Sequence, residues 1–117
     1  IGVVPYERDI FSELGHDEGV VHFIRIHFRQ NHGQIFEYVV QYEAEIGDKR
    51  FPILRFDNAH GFPHRDLISP SGLQSKTAMP NLTNAEALSF AIKHIREQFR
   101  EYFAWYQHES QKTHRRT

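Results

Sequence analysis

Between residues 20 and 57 apolar and polar side chains alternate in three runs separated by turns, and this alternation constrains the fold more than any other feature of the chain. In VVHFIRIHFRQ (20–30), Ile24, Ile26 and Phe28 alternate with Arg25, His27 and Arg29. That is the period of a strand with one buried face. Over 35–46, Phe36, Tyr38, Val40, Tyr42, Ala44 and Ile46 share one face, and Glu37, Val39, Gln41, Glu43 and Glu45 the other. Asn31-His32-Gly33 reads as a three-residue hairpin loop with Gly33 in the left-handed position. Such a loop pairs Phe28 with Phe36 and Ile26 with Tyr38, and sets His27 opposite Glu37. A slip of one residue would oppose apolar and charged side chains. Gly47-Asp48-Lys49 turns the chain into a third strand, 50–57, where Leu54 and Phe56 continue the apolar face and Arg55 and Asp57 the polar one. Pro52 has no amide to donate, so it requires a bulge or an edge position.

The remaining segments complete a one-domain plan over 1–117. Residues 1–18 read as irregular, with a short helical turn at 7–14. A fourth, short strand covers 64–68, and the Ser-, Pro- and Gly-rich stretch 69–82 reads as a loop. Thr83-Asn84-Ala85-Glu86 is a capping box that opens a helix over 83–107. Leu88, Ile92, Ile95, Phe99, Phe103 and Tyr106 then form one apolar stripe, and residues 108–117 read as a frayed tail. The expected fold is α+β: an antiparallel meander of about four strands with the long C-terminal helix packed on one face. Ten Phe, five Tyr and one Trp are enough apolar mass for one core. No apolar run reaches the roughly 18–20 residues that span a bilayer, and the start, IGVVPYERDIFSELG, lacks the basic-then-apolar pattern of a signal peptide. A cytoplasmic location without membrane contact is the expectation.

Composition also narrows the chemistry. The chain has no cysteine, which excludes disulfides, thiolate zinc sites and a Cys nucleophile. A net charge of −1 gives no nucleic-acid signature by itself. There is no Gly-rich phosphate loop, GxSxG or HExxH. Nine histidines are many for 117 residues, and two of them fall in RFDNAHGFPHRD (55–66) with two arginines and two aspartates. His60 and His64 suit proton transfer near neutral pH, and Arg55 and Arg65 suit a phosphate. Asp57 would orient one of these groups, and Arg25, His27 and Arg29 would extend a basic track for an RNA backbone. The chemistry expected is metal-independent RNA cleavage by the 2′-hydroxyl, with His64 as leading base or acid and no cofactor.

Three other readings stay open. His60 and His64 with Asp57 or Asp66 could bind a divalent metal. The face could instead dock a partner through exposed Val39, Ile53 and Phe51. Structurally, Asp57 and Asn58 would start a turn that Gly61 relaxes, with Arg55 paired to Asp57 or Glu43.

The stretch ILRFDNAHGFPHRD, with the Ser/Pro/Gly loop and terminal amphipathic helix, resembles an uncharacterised family of small prokaryotic proteins. Its hallmark is close to [RY]-[FY]-D-[NT]-A-H-G-x-x-H-R-D, and the resemblance runs from about residue 20 to residue 103. That family looks similar to TumE-type toxins of toxin–antitoxin pairs, which match at Arg55, Phe56, Asp57, Asn58 and the later histidine. The chain departs from the toxins at Asp66, where they favour Lys or Arg. The resemblance singles out Arg55, Asp57, His60, His64 and Arg65 and implies a toxin-like role with a cognate antitoxin or other protein as partner. The ribonuclease reading, with RNA as partner, comes from the side-chain chemistry above. The alternative is a non-enzymatic module binding protein or nucleic acid through the same polar face, and a homodimer suits either.

Overall fold

The computed structural model describes residues 6–79 and 81–115, with side chains up to residue 112. Six antiparallel strands in the order of the sequence form one sheet: β1 (Tyr6–Asp17), β2 (Val20–Asn31), β3 (Gln34–Ile46), β4 (Lys49–Asp57), β5 (His64–Ile68) and β6 (Gln74–Ala78). One helix, α1 (Asn84–Arg115), packs against β2, β3 and β4. The α+β meander is as expected, but two strands more than expected flank it. β1 replaces the irregular segment and helical turn, and β6 occupies part of the expected loop. The helix also runs on to Arg115, past the expected end at residue 107. Residues 1–5, Pro80 and 116–117 of those expectations lie outside the described residues.

Period-two alternation builds the core as the sequence requires. Ile24, Ile26, Tyr38, Val40, Tyr42, Leu54 and Phe56 are buried beneath Ala87, Leu88, Ala91, Ile95, Phe99 and Tyr106 of α1. The register differs from the expected one by two residues. Asn31 pairs with Gln34, so the loop is only His32-Gly33, and both residues take positive φ (51° and 76°). A two-residue turn of this kind matches the right-handed twist of its strands. Phe28 therefore faces Tyr38, Ile26 faces Val40, and His27 faces Val39; Glu37 lies opposite Arg29 instead. A shift of two keeps every side chain on its face. The extra residue is taken up as a bulge at Phe36, which leaves the core and lies under the Arg29 guanidinium.

Pro52 satisfies both of its expectations. Glu43 pairs with Pro52 and Tyr42 with Leu54, so Ile53 is a bulge, and β5 pairs only with 54–57 of β4. Pro52 thus stands where no ladder amide is needed on the far side. Ile53 is fully buried and Phe51 is half-buried against Tyr106, so neither is the exposed docking residue that was expected. Val39 is half-buried. The capping box forms as read: Glu86 N donates to Thr83 Oγ1 at 3.1 Å and Thr83 N donates to Glu86 Oε1 at 2.9 Å.

Candidate functional site on the open sheet face

The helix covers one face of the sheet and leaves the other open. Asp57 closes β4 and His64 opens β5, and the two are cross-strand partners, as are Arg55 and Asp66. Alternation then puts Arg55, Asp57, His64 and Asp66 on the open face. It puts Arg65 on the helix face, where Nη1 lies 3.5 Å from the Tyr102 hydroxyl. Arg65 is therefore separated by the sheet from the imidazoles it was expected to assist, because it is one residue out of phase with His64.

The turn joining β4 to β5 is held at both ends. Asp57 Oδ1 accepts from Ala59 N at 3.1 Å, and Gly61 N donates to Asn58 O at 3.0 Å. Gly61 sits at φ 87°, a conformation glycine adopts at no steric cost. Asn58 ties the turn to β3: it accepts from Tyr38 N at 3.2 Å and donates to Phe36 O at 3.1 Å. Asp57, Asn58 and Gly61 thus have the geometric roles that the turn reading gave them.

This scaffold aims His64 in one direction. Its Nδ1 donates to the Phe62 carbonyl at 3.3 Å. Its Nε2 then faces Asp57 Oδ1 at 2.9 Å and Asp66 Oδ2 at 3.9 Å. Asp57, His64 and Asp66 are 7%, 3% and 2% exposed, although among the described residues no helix covers this face. His60 is exposed and stacks on His64 with ring centroids 5.5 Å apart. Lys76 of β6 is the cross-strand partner of Asp66, and its Nζ lies 3.5 Å from His60 Nε2. The expected loop hid Lys76 from sequence reasoning; β6 brings it to the site. Arg55 turns toward β3 and donates from Nε to Gln41 Oε1 at 2.8 Å, not to Asp57 or Glu43.

The proposed basic track is on the same face, but each of its three side chains has a carboxylate partner. Arg25 binds Glu43 (2.7 Å), His27 lies between Asp9 (2.7 Å) and Glu7 (3.4 Å), and Arg29 meets Glu37 at 3.4 Å. Burial alone would raise the Glu43 carboxyl; hydrogen bonds from Arg25 and Gln41, with the Arg25 and Arg50 charges, reverse this and hold it below the usual carboxylate range. Glu45 pairs with Arg50 at 3.0 Å. Phe11 and Phe23 stack at 4.7 Å, with the Arg25 and Arg50 guanidiniums 4.5 and 4.8 Å from the Phe11 ring.

A second buried polar group lies on the helix face and was not foreseen. Fully buried His22 meets the Tyr42 hydroxyl at 2.7 Å through Nδ1 and Asp17 at 2.8 Å through Nε2, and Arg100 reaches Asp17 at 3.2 Å. It clamps β1, β2, β3 and α1 together. Its only sequence sign is that His22 shares the parity of Ile24 and Ile26.

A family model described as Domain of unknown function (DUF7718) matches residues 6–112, nearly the whole chain, so the protein belongs to that family. No curated protein and no solved structure matches the chain. No helix among the described residues is long and apolar enough to cross a membrane.

Proposed function

We propose that this DUF7718 member is a toxin-like ribonuclease of a prokaryotic toxin–antitoxin or defence module, acting on RNA at the open face around His60, His64 and Arg55. The observation that carries the reading is the stacked imidazole pair, one ring buried on Asp57 and the other exposed beside Lys76. An exposed imidazole on a fixed base can exchange protons with a substrate that the buried one cannot reach. His60 therefore takes the base role and His64 positions it. His60 removes the 2′-hydroxyl proton, the 2′-oxygen attacks phosphorus, the bond to the 5′-oxygen breaks, and that oxygen leaves with a proton from water. The products are a 2′,3′-cyclic phosphate and a 5′-hydroxyl. Arg55 and Lys76 supply positive charge for the phosphate, and Asp57 fixes His64. Arg25, His27 and Arg29 contact the strand only by exchanging their carboxylate partners for phosphates. The resemblance of Arg55-Phe56-Asp57-Asn58 to the TumE-type segment supports a cognate antitoxin as protein partner.

The test is incubation of the untagged chain with single-stranded and structured RNAs, followed by end-group analysis. Cyclic phosphate ends should appear, and His60→Ala should reduce cleavage by about 10²–10⁴-fold with little change in melting temperature. Absence of cleavage by the wild type, or full activity in His60→Ala, sinks the assignment.

One observation favours a second reading, a non-enzymatic module that binds through the same face. The Phe11–Phe23 stack, with Phe11 exposed and the Arg25 and Arg50 guanidiniums against its ring, is an aromatic surface on which a base or a partner side chain can stack. Saturable RNA or protein binding that Phe11→Ala weakens, without turnover, would select it.

A further inference from the structure

We propose that Asp57, His64 and Asp66 form a binding site for one divalent transition-metal ion, of the manganese, iron(II) or zinc class. The inference goes beyond the ribonuclease reading, since cation binding can be measured without any RNA, and the metal-free chemistry at His60 does not depend on it.

The donor set and its geometry make the argument. Because His64 Nδ1 gives its proton to the Phe62 carbonyl, the nitrogen left facing the two carboxylates is Nε2. A ligating histidine is held by just such a hydrogen bond through its other nitrogen. One donor atom from each of the three residues lies within 4.8 Å of the others, and Nε2 is 2.9 and 3.9 Å from the two carboxylate oxygens. Donors about 2.0–2.2 Å from a common cation stand roughly 3–3.5 Å apart, so small carboxylate rotations close the set. One imidazole with two carboxylates suits manganese, iron or zinc, whereas an imidazole donor disfavours calcium.

The independent observation is the unmet demand of Asp66. It is 2% exposed and, among the described residues, its Oδ1 has no hydrogen-bond partner. Its two cross-strand neighbours are cations, Arg55 and Lys76, and an ordinary structural aspartate would pair with either. Both are turned away, Arg55 to Gln41 and Lys76 toward His60. A buried carboxylate with an unpartnered oxygen is costly unless a cation or donor compensates it. The contact of His64 Nε2 with Asp57 does not answer this demand, because it leaves Asp66 Oδ1 unpartnered. The other carboxylate–histidine group among the described residues, Glu7, Asp9 and His27, lies at the surface with no buried unpartnered atom and carries no such argument.

The experiment uses the untagged full chain after removal of metals with a chelator. Mn²⁺ is titrated in, and the free-ion electron paramagnetic resonance signal is followed. One equivalent should bind, and Zn²⁺ should displace it and raise the melting temperature. Asp66→Asn should weaken binding by more than the roughly 10–100-fold that loss of an outer-shell partner causes, while Asp9→Asn should leave it unchanged. A measurement on the wild type guards against misfolding of the variant: substoichiometric Mn²⁺ should broaden the His64 imidazole proton signals before those of His27. Failure of both ions to bind at millimolar concentration, loss of binding in Asp9→Asn, or broadening centred on His27 overturns the site. None of these readouts involves RNA, so the site can stand if the ribonuclease reading fails, and the reverse.

Discussion

Two histidines on the helix face govern how stability should depend on pH. Burial pushes His22 below the ordinary histidine value, with the Asp17 hydrogen bond opposing it only in part. Burial, helped by the Arg65 charge, does the same to His94. Both folded pKa values lie below the unfolded value, so just below that value the unfolded chain binds more protons. The neutral imidazoles contribute fully above the unfolded pKa of 6.5, and the contribution falls as pH drops from there toward the folded pKa. Each group gives a slope of at most about 1.4 kcal/mol per pH unit. The melting temperature should fall between pH 7 and pH 5, and His94→Gln should flatten that fall. An identical slope in the variant would refute the assignment. Side-chain parity also explains which site residues were legible. Asp57 and His64 were, because a turn joins them in sequence. Arg65 was misplaced because adjacent strand residues point oppositely. Asp66, read as a departure from a pattern, shares the parity of His64 and is the orphaned carboxylate of the pair.

At the scale of elements, legibility tracked burial. β2, β3 and β4 were readable because alternate apolar side chains are buried on the helix face, although β3 also buries Glu43 and β4 also buries Ile53 and Asp57. β5 was readable as a short strand and buries His64, Asp66 and Ile68. β6 buries none of its five residues, and β1 only half-buries Ile10, Leu14 and Gly15, with Leu14 spent in a bulge. Such strands exist because the free edges of β2 and β5 need partners, a demand that leaves no apolar period in their own sequence. The hairpin loop failed differently. His32 takes the left-handed conformation more often seen for Asn or Gly, so the two-residue turn was disguised. The helix start was the clearest local signal. Thr83→Ala removes the hydroxyl that accepts from Glu86 N and should cost about 1 kcal/mol. Urea denaturation should show the midpoint lowered with the slope unchanged. An unchanged midpoint would mean that packing of Ala87 and Leu88 alone fixes the helix start.

The molecule as a whole has one apolar layer, and the sheet lends its other side to charged groups. Cooperative stability must then be concentrated where α1 meets β2, β3 and β4, and must decline outward along the meander. Phe99 is at the centre of that contact, against His22 and Tyr42, and Gly15 of β1 approaches it so closely that an added Cβ would stand 3.2 Å from its ring. Phe99→Ala should cost about 3–5 kcal/mol, a large part of the 5–15 kcal/mol that roughly bounds a small domain. Hydrogen exchange should give the same gradient without mutation. Amides of Val40 and Tyr42 lie in a strand paired on both sides and buried beneath the helix. Amides of β6 that bond β5 lie in a wholly exposed outer strand. The β6 amides should exchange through local opening, orders of magnitude faster than those of β3, which should exchange only on global unfolding. If the Asp57–His64–Asp66 site takes up its cation, β5 gains a tie to β4, and Mn²⁺ or Zn²⁺ should slow exchange in β5 more than in β1. Uniform slowing across the sheet would instead indicate stabilisation of the whole fold. Equal protection of β6 and β3 before any metal is added would show that the open face carries more of the fold's stability than its packing accounts for.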